Sequence, residues 1–541
     1  MASSHKDSTY RAGLNRQAAR VPFERSASAS SEGHSASRLH RAAQKPLRVM
    51  KFGGTSVGDA ACICRVVEIV RAASRESEVV VGVSAMSGVT NKLVEAASQS
   101  EQGHEAAVDE IFEYLRRGHR TAAHELIPSP ASRGRLVAKV EDLLQTGSQL
   151  CESTMRLREL TPRTLDAISS LGERLSVLLV AAALTEHGIV SEVIEATELV
   201  VTDGSHGAAS PCVNLTGVRC EARLRPLLAN GIVPVITGFI GATCDGILTT
   251  LGRGGSDYSA TILAAALKAD EVTIWTDVDG LQTADPRLIP GARTITEVSY
   301  REASELAYFG AKVLHPKTLR PVMQCGIPLW VRNTFAPEKP GTRITPKGLP
   351  GTGGVKAVTS IGDAALISIA GPKINLQSVT ERSLQAIAAA RADVLLISQA
   401  SSQEELSVAV PLAQSKTALV TLQREFADSQ LACHAERQPL HFKVDSAVSV
   451  VTLVGRNISS LPAVMTFALE ALDRTGIGVA AVAQGSSGCS LSLVVPRHGM
   501  KASMLSIYEE FQLGIPGFVD FDPGADSVLP APTIQPLDQI Q

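Results

Sequence analysis

The residues whose types could do chemistry gather in short clusters. The earliest is Lys51-Phe52-Gly53-Gly54-Thr55-Ser56-Val57-Gly58. Paired glycines let backbone N–H groups approach an anion closely, a following helix start adds partial positive charge, and Lys51 brings a full cation to the same place. The pattern reads as a phosphate cradle. It is not a G-x-x-x-x-G-K loop, because the lysine precedes the glycines. The competing reading is a tight turn with a solvated lysine.

Further clusters follow. Ser84-Ala85-Met86-Ser87-Gly88-Val89-Thr90-Asn91 offers small hydroxyls that could hold a polar substrate or simply cap a helix. Gly172-Glu173-Arg174 places an acid in an otherwise apolar helix, where an ion-paired or solvated carboxylate is the plainer reading. In Gly252-Arg253-Gly254-Gly255-Ser256-Asp257 the arginine supplies a planar fork suited to carboxylate or phosphate. Asp257 could face a substrate ammonium, hold an active-site lysine, or cap the helix. Trp275-Thr276-Asp277-Val278-Asp279-Gly280 and Ala284-Asp285-Pro286-Arg287 bring acids that can accept from a ribose or a base. Lys312, in Gly310-Ala311-Lys312-Val313-Leu314-His315-Pro316, is expected at a helix end, where complementing the helix dipole is the alternative. Lysines, arginines and glycine turns abound here, and no serine or cysteine has an evident base beside it. Such a set suits phosphoryl transfer, which depends on positioning and electrostatics, better than covalent hydrolysis.

The elements that must position these clusters alternate along the chain. Strand-like runs at 79–85, 191–196, 232–238, 272–278 and 329–333 are separated by helical patterns at 59–74, 164–186, 256–268 and 300–314. Alternation of this kind predicts an α/β domain with a mainly parallel sheet, and the clusters fall near strand ends, where such sheets bind ligands. A polar, charged stretch between Glu101 and Leu160 reads as an inserted helical subdomain. Residues 336–360 are rich in Gly, Pro and Lys and read as a linker. Beyond it the pattern repeats. Ser398-Gln399-Ala400-Ser401-Ser402 is echoed 85 residues later by Ala483-Gln484-Gly485-Ser486-Ser487, and Pro411 by Pro496 at the same offset. Two β-α-β-β units of ferredoxin-like type fit.

With 541 residues, 44% hydrophobic and 19% charged, the chain has material for two or three domains. A formal net charge of −3 gives no case for nucleic acid or an anionic membrane, and no long apolar run suggests a membrane span. Nine scattered cysteines without C-x-x-C pairs read as reduced thiols of a cytosol-like compartment. The segment 1–47 is rich in Ser, Ala and Arg and lacks apolar periodicity, so it reads as a disordered extension. Asp7, Glu24 and Glu32 weaken a transit-peptide reading, which leaves plastid as the lesser alternative to cytoplasm. The tail 522–541 is Pro-rich and reads as flexible.

Taken in order and spacing, Lys51–Gly58, Ser84–Asn91, 172–176, 252–257, 275–287 and 309–316 resemble the aspartate kinases of the amino-acid kinase superfamily. The resemblance covers about 48–515. It implies a kinase domain over 48–335, with helices on both faces of the sheet, followed by two ACT domains of βαββαβ form at 361–435 and 445–515. It further implies ATP-dependent phosphorylation of the L-aspartate side-chain carboxylate, at the head of lysine, threonine, methionine and isoleucine synthesis. By the family pattern Lys51 contacts the transferring phosphoryl group, and Thr90, Glu173, Arg253 and Asp257 hold aspartate. Gly53, Gly54, Thr276, Asp277, Gln282, Arg287 and Lys312 would line the nucleotide site, although the family often has Tyr where Gln282 stands. Mg²⁺ would arrive with ATP, without a dedicated protein cage.

The paired repeats resemble amino-acid sensors that assemble as homodimers or homotetramers. The pocket is expected at 394–402, with Gln399 and Ser401 as contacts and threonine or lysine as effector. The motifs are also similar to the kinase half of bifunctional aspartokinase–homoserine dehydrogenases. No G-x-G-x-x-G unit follows the second repeat, so no dehydrogenase activity is expected. A kinase for glutamate or N-acetylglutamate, and a regulatory protein with a dead kinase fold, are the alternatives.

Overall fold

The strand that carries Lys51 runs through the middle of the sheet. A computed structural model describes residues 45–310, 313–348, 354–371, 376–399, 405–430, 440–485 and 487–515. The expected extension before residue 45, the tail beyond 515, and Lys312, Ser401 and Ser486 lie outside the described residues. In chain order the first strands are β1 Leu47–Phe52, β2 Glu78–Val83, β3 Ser191–Ile194, β4 Val233–Thr237, β5 Ile240–Ala242, β6 Leu248–Thr250, β7 Glu271–Thr276, β8 Glu297–Ser299, β9 Leu329–Asn333 and β10 Thr342–Thr345. Eight of them form one sheet in the order β3-β4-β2-β1-β7-β9-β10-β8, parallel throughout except at β9–β10. β5 and β6 make a separate antiparallel ribbon.

Side-chain alternation explains why both faces are covered. Leu47 and Val49 of β1 enter one core, and Met50 and Phe52 enter the other. One core receives helices α1 Ala60–Glu76, α2 Val89–Gln102, α3 Glu105–Leu126, α4 Pro130–Leu157, α5 Pro162–Ser169 and α6 Leu171–Glu186. The other receives α7 Val213–Ala229, α8 Gly255–Leu267, α9 Tyr300–Tyr308 and α10 Pro316–Cys325. α1 shows the logic. Asp59 accepts from the Cys62 N–H at 2.8 Å as N-cap, and Ile63, Val66, Val67, Val70 and Ala73 recur on the buried stripe.

Two expected helices are shorter than their apolar patterns. The 164–186 pattern breaks at Ser170, whose hydroxyl bonds the Ala167 carbonyl at 2.8 Å and competes with the helix ladder. Together these turns (Pro162–Glu186) are long and apolar enough to cross a membrane, yet 78% of the most apolar window is buried inside this fold. The 300–314 pattern ends at Tyr308, because Gly310 takes φ +115° against the Ser360 carbonyl.

The stretch expected as a linker carries strand. β10 closes onto β9 and β8, and a long strand starts at Gly354. The remaining elements are β11 Gly354–Ala370, α11 Leu376–Ala389, β12 Leu396–Gln399, β13 Glu405–Pro411, α12 Leu412–Gln430, β14 His441–Arg456, α13 Pro462–Asp473, β15 Ala481–Gln484, β16 Ser490–Pro496 and α14 Met500–Glu510. They form one antiparallel sheet, β12-β13-β11-β14-β16-β15. Each repeat is a β-α-β-β-α run completed to the expected βαββαβ set by a shared strand: β14 residues 441–445 flank β11 in the first unit, and β11 residues 354–361 flank β14 in the second. Both long strands serve two units, with register shifts between Ile361 and Leu366 where they pass from one to the other.

Candidate active site

Lys51, near the end of β1, is 6% exposed, and its Nζ lies 2.5 Å from Asp257 Oδ1. Asp257 stands in the first turn of α8, where the helix dipole favours a carboxylate. Of the three roles open to Asp257, its geometry matches the lysine holder. The helix N-cap is Gly254 instead, at φ +68°.

The glycine turn after Lys51 is held against β7. Gly53 N–H donates to the Trp275 carbonyl at 2.9 Å, and the Ser56 hydroxyl lies 2.7 Å from Thr334 Oγ1. A Cβ on Gly54 would stand 3.0 Å from the Ala85 carbonyl oxygen, so the turn runs flush against the loop after β2. The glycines feed a short 3₁₀ turn, Thr55–Val57, and α1 begins at Ala60, as the 59–74 helical pattern leads one to expect.

Glu173 occupies the first turn of α6 at 4% exposure and accepts from Ser256 Oγ at 3.3 Å. Burial pushes its carboxyl up to about 7, against the opposing pull of the Ala85 and Glu173 backbone N–H groups, Ser256 and the Lys51 charge. Arg253 sits exposed on its glycine turn, with no hydrogen bond or ion pair among the described residues. Thr90, in the first turn of α2, and Thr276 and Asp277, at the end of β7, complete the walls. These groups line one cleft of about 720 Å³ outside the carboxyl ends of β1, β2 and β7.

Two residues expected at the nucleotide do not line that cleft. Arg287 is taken up by its own Asp285, at 2.6 Å, and its side chain is 73% exposed. Gln282 bridges to Thr294, with its Oε1 buried and without a hydrogen bond among the described residues. Lys312 lies outside the described residues, and His315 caps α10, its Nδ1 accepting from Lys317 N–H at 3.2 Å. Gln399 ends β12, exposed, in the other sheet. No group of three or more His, Cys, Asp or Glu that could cage an ion occurs among the described residues. Asp277 is a carboxylate in the cleft wall, enough for a hydrated Mg²⁺ carried on phosphates.

Sequence reasoning missed Asp166, Phe239 and Thr250, which also line the cleft. Asp166 precedes Glu173 by about two helical turns on the same apolar pattern, a signal for a second buried acid on that face. Phe239 adopts φ +67°, a conformation no local residue announces.

The amino acid kinase family profile matches residues 46–333, and an ACT domain profile matches 451–511. The bifunctional aspartokinase/homoserine dehydrogenase of Haemophilus influenzae is 31% identical over 464 residues, covering 84% of this chain and 55% of that protein. The chain thus spans about half the length of the bifunctional relatives it matches. Aspartokinase 3, chloroplastic, of Arabidopsis thaliana is 31% identical, covering 87% of this chain and 83% of that protein. Escherichia coli aspartokinase III with aspartate and ADP (R-state) superposes with a TM-score of 0.73 at 26% identity, covering 86% of this chain and 100% of that one. The same enzyme with lysine and aspartate (T-state) gives 0.67 at 26% identity, with 86% and 99% covered.

Proposed function

Because the chain belongs to the amino acid kinase family, and within it to the aspartokinases, we propose that it moves the γ-phosphoryl group of ATP onto the side-chain carboxylate of L-aspartate. The observation that carries this reading is the common cleft. A buried lysine braced by Asp257, an arginine without an ion pair among the described residues and a buried glutamate face one space large enough for an amino acid beside a triphosphate.

The chemistry needs no strong base, since the attacking carboxylate is already an anion. The barrier is repulsion between two anions, which fixed cations lower. Arg253 takes a carboxylate of aspartate through its planar fork, and Glu173 takes the ammonium, with Thr90 beside them. Lys51 neutralises charge on the transferring phosphoryl group, and Asp257 keeps its ammonium aimed there. Gly53 and Gly54 let the phosphates approach the backbone, and Thr276 and Asp277 face the nucleotide. Lys312 is the second phosphate cation by family resemblance. When bound, Mg²⁺ supplies further charge neutralisation to the phosphates, with Asp277 as its protein-side anchor.

The fused repeat sheet supports feedback by an end-product amino acid, lysine or threonine, with Gln399 and Ser401 as contacts. The solved T-state of the E. coli enzyme contains lysine, which motivates that part. Assembly as a homodimer or homotetramer through the repeats, and a cytoplasmic home suited to the free cysteines, complete the proposal. Hydroxylamine trapping with ATP tests the activity. We expect a hydroxamate with L-aspartate and none with L-glutamate or N-acetylglutamate. A faster reaction with either of those two would replace aspartate as the substrate.

A further inference from the structure

Arg253 is exposed and unpartnered among the described residues, so something other than its own contacts must aim it. Asp166 is a carboxylate that lines the same cleft as Arg253. It is 2% exposed, and it collects donors from two segments. Oδ1 accepts from Thr250 Oγ1 at 2.6 Å and from Gly207 N–H at 3.1 Å. Oδ2 accepts from His206 Nδ1 at 2.8 Å, Gly207 N–H at 3.1 Å and Thr250 N–H at 3.2 Å.

Both segments run into the arginine turn. Thr250 ends β6, and its carbonyl accepts from Ala209 N–H at 2.9 Å, which ties the ribbon to the 206–209 loop. Gly252, beside Arg253, takes φ +79°, and a Cβ there would lie 2.9 Å from the Gly207 carbonyl oxygen. The turn then closes through Gly255 N–H to the Gly252 carbonyl at 2.9 Å. Thus Asp166 fixes Gly207 and Thr250, and those two bracket the backbone that presents Arg253.

We propose that Asp166 is a positioning residue for substrate recognition, holding the 206–207 loop and the end of β6 so that the Arg253 guanidinium is preset for a substrate carboxylate. The inference rests on the aspartate reading of the cleft. A carboxylate is required because every neighbour is a donor. Asn would turn an NH₂ group onto one of them and leave an N–H or O–H unmet. Preorganisation of this kind acts on binding of the ligand that the arginine reads.

The test is calorimetric titration of L-aspartate and, separately, ADP into the full chain, its Asp166→Asn and Arg253→Ala variants, and the double variant. Asp166→Asn should weaken aspartate binding about tenfold and ADP binding less than about twofold. In the Arg253→Ala background the same change should weaken aspartate less than about twofold, since the group it aims is gone. Equal factors in both backgrounds, equal losses for ADP, or no loss at all would overturn the proposal. Should Asp166→Asn fail to fold, Thr250→Val and His206→Ala each remove one donor, and their smaller aspartate losses should depend on Arg253 in the same way. Absence of aspartate binding by the unaltered chain would strike the functional reading. Additive variants in a chain that binds aspartate would strike only this inference.

Discussion

Glu173 is a cleft residue whose burial changes its chemistry. The Glu173 carboxyl titrates near 7 in the fold and 4.5 when free, so between those values the folded chain keeps a proton that the unfolded chain has released. Its contribution to stability is therefore highest below 4.5 and falls as pH rises through 7. Glu173→Gln removes that dependence. Relative to the unaltered chain, the variant should gain roughly 2 kcal/mol in urea unfolding between pH 5 and pH 8. Parallel pH profiles would show that Glu173 is not held neutral. Aspartate binding should strengthen over the same pH range, because only the ionised form attracts the ammonium. Lys51→Ala should lower kcat by about 10²-fold or more in steady-state assays, with aspartate affinity nearly intact. Near-normal turnover would remove Lys51 from the mechanism. Lys51 and Arg253 stood out from residue type beside glycine turns, whereas Glu173 and Asp257 had plainer readings and entered the site only by family resemblance. Asp166 was not legible, because its partners arrive from residues 206–207 and 250, forty or more positions away.

Elements were legible where one apolar period governs a segment, as in β9, whose observed bounds Leu329–Asn333 are those expected. They were less so where tertiary contacts end a pattern, as Gly310 ends α9 against Ser360. α9 is also one of the segments that join the two sheets. Glu302 completes a capping box with Ser299 and pairs with Lys356 of β11 at 2.9 Å, with side-chain exposures of 1% and 8%. Further along, Ser487 Oγ donates to Glu305 at 2.9 Å, and the Tyr308 hydroxyl donates to the Val394 carbonyl. Removing one member of a buried pair strands the other charge. Lys356→Met should cost about 3 kcal/mol in chemical unfolding, and Lys356→Met with Glu302→Gln should cost less than the single change. Simple additivity of the two changes would show that the charges do not depend on each other.

At the scale of the whole molecule, the kinase half and the existence of two repeats could be read along the chain, but their fusion could not. Strand exchange between β11 and β14 pairs residues about 90 positions apart, such as Ile361 with Val450, and local periodicity carries no record of that. The fused sheet makes one body of both repeats, and an effector that prefers one arrangement of it shifts the population toward that state. Titration with lysine and threonine separately should therefore depress activity with at least one of them, and Gln399→Ala should weaken that inhibition about tenfold. A flat response to both would reject feedback control. The central claim is that a carboxylate oxygen of aspartate attacks the terminal phosphorus of ATP. L-Aspartate carrying ¹⁸O in its side-chain carboxylate, turned over with ATP and trapped with hydroxylamine, tests it most directly. One ¹⁸O should appear in the released inorganic phosphate, because hydroxylamine attacks the acyl carbon and expels the bridging oxygen. Hydroxamate-coupled phosphate without the isotope, or no phosphate release beyond the rate without aspartate, would contradict it.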